Sequence, residues 1–249
     1  MINIIGKFDK VIFSTHTDTR TRTVTKKKIW IRIVGDTHGN YSQFEKLIQN
    51  CENVIQLGDF GFEYSSLERM SRNTNIKIIS GNHDNYDLIP KYSQYFLGDY
   101  GCANIGRFSS FFVRGGFSID KRWRLDYTVK TGIKCWWEKE QLDVEQHEDC
   151  IKLYGKIKPS IILSHSCPYS IAKTIGNPAT LRYFGFNPDT FITTTQDLLQ
   201  NMLQIYSPKL WIFAHHHKHF DQVINGTRFI CLEELKYIDF NQEGEMICV

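Results

Sequence analysis

Five short apolar runs along this chain each end in a polar cluster of the same character. Ile29 to Val34 leads into Gly35-Asp36-Thr37-His38-Gly39-Asn40, and Asn53 to Leu57 into Gly58-Asp59. Ile76 to Ser80 leads into Gly81-Asn82-His83-Asp84, Ser160 to Ser164 into His165, and Leu210 to Phe213 into Ala214-His215-His216-His217. Short continuous runs rich in Ile, Val and Leu predict strands buried on both faces. Helical periods lie between them. Asn40 and Gln43 have the spacing of a capping box, and Phe44, Leu47 and Ile48 then line one helical face. Ser65 to Asn73 predicts a short helix, and Glu138 to Lys156 a longer one with Leu142, Ile151 and Tyr154 inward. Gln196 to Tyr206 predicts another, stopped by Pro208. Strands alternating with helices from Lys28 onward predict βαβ units, hence an α/β fold.

Other stretches break this rhythm. Residues 99 to 131 predict short strands and glycine turns, with Phe111-Phe112-Val113 running into Gly115-Gly116. Residues 166 to 190 hold three prolines and predict a long loop, of the kind that is often functional. Arg228 to Leu232 and Tyr237 to Phe240 predict closing strands. Near the start, threonine occupies every second position from Thr15 to Thr25, a strand period with two polar faces and therefore a weakly specified register. Two units follow: an N-terminal β extension over residues 1–27, best anchored by Val11-Ile12-Phe13, and a main domain over 28–249. The extension reads as a solvated ribbon or as an arm using Arg20, Arg22 and Lys26 to Lys28.

Composition narrows the class without choosing a function. A 41% apolar share in 249 residues supports a sizeable core, and a net charge of +3 neither requires nor excludes nucleic acid. No apolar run has the length of a membrane span, and the N-terminus has no signal-peptide pattern, so a cytoplasmic protein without a membrane partner is expected. Seven cysteines with no CxxC pair argue against a disulfide framework and against a thiolate zinc site.

The polar clusters carry the chemistry. In open α/β sheets ligands bind outside the carboxyl ends of the strands, and five strand ends here hold metal-type side chains. Hydrolysis of a phosphate ester needs charge neutralisation and a nucleophile at neutral pH, which two divalent ions ~3.5–4 Å apart supply. Asp36 and His38 reach one ion together, and Asp59 is the natural bridge. Asn82 offers a neutral oxygen to the second ion, and His165, His215 and His217 complete the site with imidazole nitrogens. Such mixed N/O donors suit Mn, Fe or Zn. Lys121-Arg122-Trp123-Arg124 reads equally as a substrate phosphate contact or as a solvated charge run.

In their order, a DxH element, a GD element, a GNHD element, a lone His and a closing HxH, these motifs resemble the calcineurin-like metallophosphoesterases. The resemblance runs from Asp36 to His217. It implies a two-sheet β-sandwich flanked by helices in four layers. It implies that Asp36, His38, Asp59 and His217 bind one metal, and Asp59, Asn82, His165 and His215 the other, with a metal-bridging hydroxide as nucleophile. His83 would contact the phosphate or protonate the leaving oxygen, with Asp84 steadying its ring. The chain departs from the serine/threonine protein phosphatases: Phe60-Gly61-Phe62 replaces their Asp-Arg-Gly, and Asp84 stands where they carry Glu. Both differences point to the smaller bacterial- and phage-type phosphoesterases. The expected activity is hydrolysis of phosphate mono- or diesters, a nucleotide among the candidate substrates. A non-catalytic metal-binding scaffold and a nuclease are the alternatives; a nuclease would want a stronger basic channel.

Overall fold

The computed structural model describes residues 30–105 and 107–247; the threonine ribbon and the rest of the expected 1–27 extension lie outside them. Two mixed sheets pack face to face. One has β1 (Ile31–Val34), β2 (Asn53–Gln56) and β3 (Asn75–Ile78) parallel, with β10 (Tyr237–Phe240) antiparallel to β1 and β11 (Met246–Ile247) at its edge. The other runs β4 (Tyr100–Ile105), β5 (Phe108–Val113), β6 (Ile161–Ser164), β7 (Leu210–Phe213), β9 (Thr227–Cys231), β8 (Phe220–Ile224), its four middle strands parallel.

The two-residue period of a strand sorts side chains into layers. Ile31, Ile33 and Ile55 meet Phe112, Leu163 and Ile212 between the sheets. Val34, Val54, Ile76 and Ile78 face outward, under Phe44 and Ile48 of α1 (Tyr41–Ile48) and Leu67 and Met70 of α2 (Leu67–Met70). On the far side Phe111, Ile162, Trp211 and Phe213 lie under α4 (Val144–Ile157), α5 (Tyr169–Ile175) and α7 (Thr194–Ile205). Helix, sheet, sheet, helix is the four-layer α/β architecture expected, and it explains why these strands read as continuous apolar runs: both their faces are covered.

Several local expectations change. Asn40 precedes α1, but its side chain makes no cap bond; its amide donates to Glu234 instead. The helix expected from Glu138 begins only at Val144, because Asp143 accepts from Gln146 N–H at 2.8 Å and Gln146 answers in a capping box; Glu138–Glu140 forms a separate 3-10 turn. Residues 166–190 are not one loop. Pro168 precedes α5, Pro178 opens α6 (Pro178–Tyr183), and Asn177 caps α6 by accepting from Ala179 N–H, so two of the prolines mark helix starts. Finally, residues 121–131 form α3 (Lys121–Thr131), whose only buried residue is Arg124. Its apolar residues Trp123, Leu125 and Val129 are exposed and stand at alternate positions, so the sequence offers no helical hydrophobic period to read. No helix among the described residues is long and apolar enough to cross a membrane.

Candidate metal centre

The five polar clusters meet at the carboxyl ends of β1, β2, β3, β6 and β7. After β1, the N–H groups of Thr37 and His38 donate to the Asp59 carbonyl at 3.1 and 2.7 Å, so the turns after β1 and β2 brace each other. The chain leaves β2 through Gly58 at φ 108°, and a side chain there would run into the imidazole of His165. His38, Asp59, His215 and His217 all hold positive φ. For residues other than glycine such backbone costs of order 1–3 kcal/mol and persists where the surroundings over-determine it, commonly at functional sites.

Their side chains converge. The Nε2 atoms of His38 and His217 face each other at 2.9 Å, with Asp36 Oδ2 3.7 and 3.0 Å from them and Asp59 Oδ2 3.8 Å from His38. Beside them, His165 Nε2 lies 3.0 Å from Asn82 Oδ1, 3.2 Å from His215 Nδ1 and 3.3 Å from Asp59 Oδ1. The orientation of these groups is set from behind. His165 Nδ1 sits 2.8 Å from the Leu57 carbonyl and donates to it, leaving Nε2 with its lone pair. The Asn82 amide N–H donates to Ser118 Oγ at 3.2 Å, and Ser118 donates to buried Glu140 at 2.6 Å, which turns Asn82 Oδ1 toward His165. The lone pairs of His165 Nε2, Asn82 Oδ1 and Asp59 Oδ1, all buried, therefore point at one another, an arrangement that calls for a cation between them.

Charge makes the same demand. Burial disfavours both the Asp36 carboxylate and the His38 imidazolium. Hydrogen bonds from His217 and His38 nevertheless hold Asp36 well below the usual carboxylate range. Asp36 and Asp59 push His38 up to about 9. Among the described residues, the donors form two groups, Asp36–His38–Asp59–His217 and Asp59–His165–His215, each within 4.8 Å, and Asp59 belongs to both.

The family model for calcineurin-like phosphoesterases matches residues 29–219. The chain belongs to that family. As a member it is a phosphoester hydrolase that works with divalent metals, and the donor set just described fits them. No curated protein matches this calcineurin-like phosphoesterase. Its fold is similar to that of several solved structures at low identity. Phosphopantetheinyl hydrolase of Mycobacterium tuberculosis is 11% identical, with 84% of this chain and 90% of that one covered and a TM-score of 0.44. A dimetal phosphatase of Danio rerio is 11% identical, with 85% and 92% covered and a TM-score of 0.49. An archaeal phosphodiesterase is 15% identical, with 82% and 83% covered and a TM-score of 0.35.

The pair His83–Asp84 differs from expectation in this calcineurin-like protein. Asp84 does not support the His83 ring. It is fully buried and accepts from the N–H groups of Gly81 (2.7 Å), Asp59 (3.0 Å) and Gly61 (3.2 Å), and from the Tyr64 hydroxyl at 3.4 Å. Burial and the Asp59 charge push its carboxyl up to about 7, against the pull of the Gly81 and Gly61 N–H groups. Asp84 thus ties the turn after β2 to the turn after β3. The reason is local: the Gly81–Asp84 turn folds the carboxylate back onto its own Gly81 N–H, away from the neighbouring side chain.

His83 has another partner. Its Nε2 lies 2.7 Å from Arg124 Nη2, and since a guanidinium only donates, Nε2 accepts and the ring proton sits on Nδ1, 3.4 Å from Asp59 Oδ2. Burial holds His83 below its usual pKa; the Asp59 charge opposes this and the Arg124 charge reinforces it. Arg124 is itself buried, donating to Asp120 Oδ1 at 2.8 Å and the Cys135 carbonyl at 3.1 Å. The four-residue charge run therefore divides: Arg124 reaches the site, whereas Arg122 is exposed and Trp123 stacks on Tyr127. Ser118 and Glu140 were not among the expected site residues, whereas Arg124 was one of the four residues offered as a substrate phosphate contact. His216 turns away from the donors, 3.3 Å from Cys167 Sγ, and His219 is exposed.

Proposed function

We propose that the protein hydrolyses phosphate mono- or diesters at a centre for two divalent ions. Asp36, His38, Asp59 and His217 hold one ion, and Asp59, Asn82, His165 and His215 the other. The sharing of Asp59 carries this reading: its Oδ2 is turned to His38 and its Oδ1 to His165, so one carboxylate serves both halves. Oxygen and nitrogen donors without thiolate suit Mn, Fe or Zn. Two such ions lower the pKa of water and neutralise charge developing on phosphoryl oxygens.

The chain's own residues prepare the rest. The Leu57 carbonyl fixes the His165 tautomer and raises the basicity of Nε2. The Asn82 amide contributes an oxygen without adding charge beside Asp36 and Asp59. Arg124 and His83 work as a unit at the rim. A guanidinium bonds phosphate more strongly than a neutral imidazole, so an arriving phosphoryl group draws the Arg124 N–H groups to itself. With that cation drawn away from Nε2, His83 takes up a proton there from solvent and then gives it to the leaving oxygen as general acid. A nucleotide is among the esters this chemistry accommodates.

The test pairs metal content with turnover. Protein stripped by chelator and reloaded with Mn²⁺ is expected to bind two ions per chain and to hydrolyse 4-nitrophenyl phosphate, its bis-ester, or both. Asp59→Asn is expected to bind at most one ion and to lose turnover. Two ions and undiminished rate in Asp59→Asn would refute the shared-carboxylate reading.

A further inference from the structure

A cavity of about 460 Å³ opens from the candidate metal centre, with Asp59, Asn82, His83, His215 and His217 at one end. Its far walls differ in character. Phe117 follows β5, Tyr169 and Ile175 come from α5, Leu181 from α6, and Phe184 and Phe191 from the segment leading to α7. Two of these rings are held in place: Phe117 and Phe191 lie 5.7 Å apart, and Phe186 packs on both at 5.8 and 4.5 Å. The cavity is therefore a pre-formed slot rather than a gap between mobile chains. Its size is that of a pocket for a small organic group.

Several polar groups of the wall are already engaged. Lys218 donates to the Ile175 carbonyl at 2.9 Å, and Lys173 to the Asp189 carbonyl at 3.3 Å. Asp120 accepts from Arg124, and Thr193 and Gln196 cap α7 reciprocally. Lys173 and Lys218 are exposed and each gives an N–H to a backbone carbonyl, and the side chains of Phe117, Leu181 and Phe191 offer a second phosphate no donor at all. An apolar group, in contrast, gains by leaving water, and the aromatic walls add ring contacts.

Resting on the phosphoesterase reading above, we infer that the substrate is a phosphate ester whose alcohol carries an uncharged aromatic or apolar group, seated between Phe117, Leu181 and Phe191 while the phosphoryl group lies at the metal donors. The segment 166–193, which brings α5, α6 and Phe191 to the cavity, is the specificity element, and the strand-end residues supply chemistry common to any ester.

Phenyl and 2-naphthyl phosphate test this, since their alcohols are of similar acidity and differ by one fused ring. Mn²⁺-loaded protein is expected to favour the naphthyl ester about tenfold in kcat/KM, the gain from burying the additional ring. Phenyl- and 2-naphthylphosphonate, which are not hydrolysed, are expected to show the same preference in calorimetric binding. In Phe117→Ala and, separately, Leu181→Asn, the preference is expected to fall to threefold or less. Hydrolysis of both esters at equal kcat/KM would overturn the inference and leave the phosphoesterase reading standing. Turnover of neither ester, with naphthylphosphonate still bound tenfold tighter, would support the cavity's role while removing the catalytic reading. A naphthyl preference that survives intact in both variants would overturn the assignment.

Discussion

Replacing Asp84 by Asn separates two roles for this residue, a brace for the site or a support for His83. The carboxylate takes two N–H groups on Oδ2, from Gly81 and Asp59, and the Gly61 N–H with the Tyr64 hydroxyl on Oδ1. An asparagine that keeps its oxygen on the Oδ2 side retains the first two bonds, weaker without the charge, while the repulsion from Asp59 and the cost of burying a carboxylate are relieved. Its amide N–H then faces the Gly61 N–H, leaving that buried donor without a partner at about 1–3 kcal/mol. The weaker remaining bonds and the relieved repulsion oppose each other, so the expected destabilisation is about 1–3 kcal/mol, set by the orphaned Gly61 N–H and read as a lower urea midpoint for metal-free protein at unchanged slope. Gly81 and Asp59 directly flank or supply candidate ligands, so Mn²⁺ affinity should also fall, by about 10–100-fold as for other groups that hold ligands from behind. A variant with unchanged stability and unchanged Mn²⁺ affinity, but a lower rate, would refute the brace and restore the support of His83.

Three further outcomes follow from the same geometry. Arg124→Ala removes the donor to His83 and a cation at the rim; KM for a phosphate monoester should rise about tenfold with metal content unchanged, and loss of metal would show that Arg124 instead holds the donors in place. Gly58→Ala combines a φ of 108° with a clash against His165, so it should lower stability by about 2 kcal/mol or more and reduce bound Mn²⁺ to one ion or none, as measured by elemental analysis. Asp239→Ala leaves the buried Arg32 guanidinium, bonded bidentately across the β1–β10 pair at 2.7 and 2.8 Å, without its carboxylate; about 3–5 kcal/mol should be lost in urea unfolding, and a change under 1 kcal/mol would mean that water or the Tyr237 ring compensates it.

How much of this was legible depends on the distance in sequence between cause and effect. Strand ends were readable because an apolar run and the glycine, aspartate or histidine that stops it are neighbours, and a strand covered on both faces has no polar positions to confuse the pattern. Asp36, His38, Asp59, Asn82, His165, His215 and His217 stood out for that reason, and all seven side chains meet. Helix α3 was not readable, since it buries Arg124 and nothing apolar. The helices within 166–190 were misread because proline looks the same opening a helix as interrupting one.

What the chain determines by itself, then, is the set of donors and the turns that carry them. Local backbone preference and strand burial act over a few residues, and that range contains the whole signal. Only the tertiary structure decided which oxygen of Asp59 faces which histidine, that Asp84 spans two turns instead of steadying His83, and that Arg124 reaches His83 from a helix forty-one residues away. It also set an aromatic slot beside the donors. Those outcomes rest on through-space hydrogen bonds and packing between segments distant in sequence, and no local pattern encodes a direction across the space between two sheets.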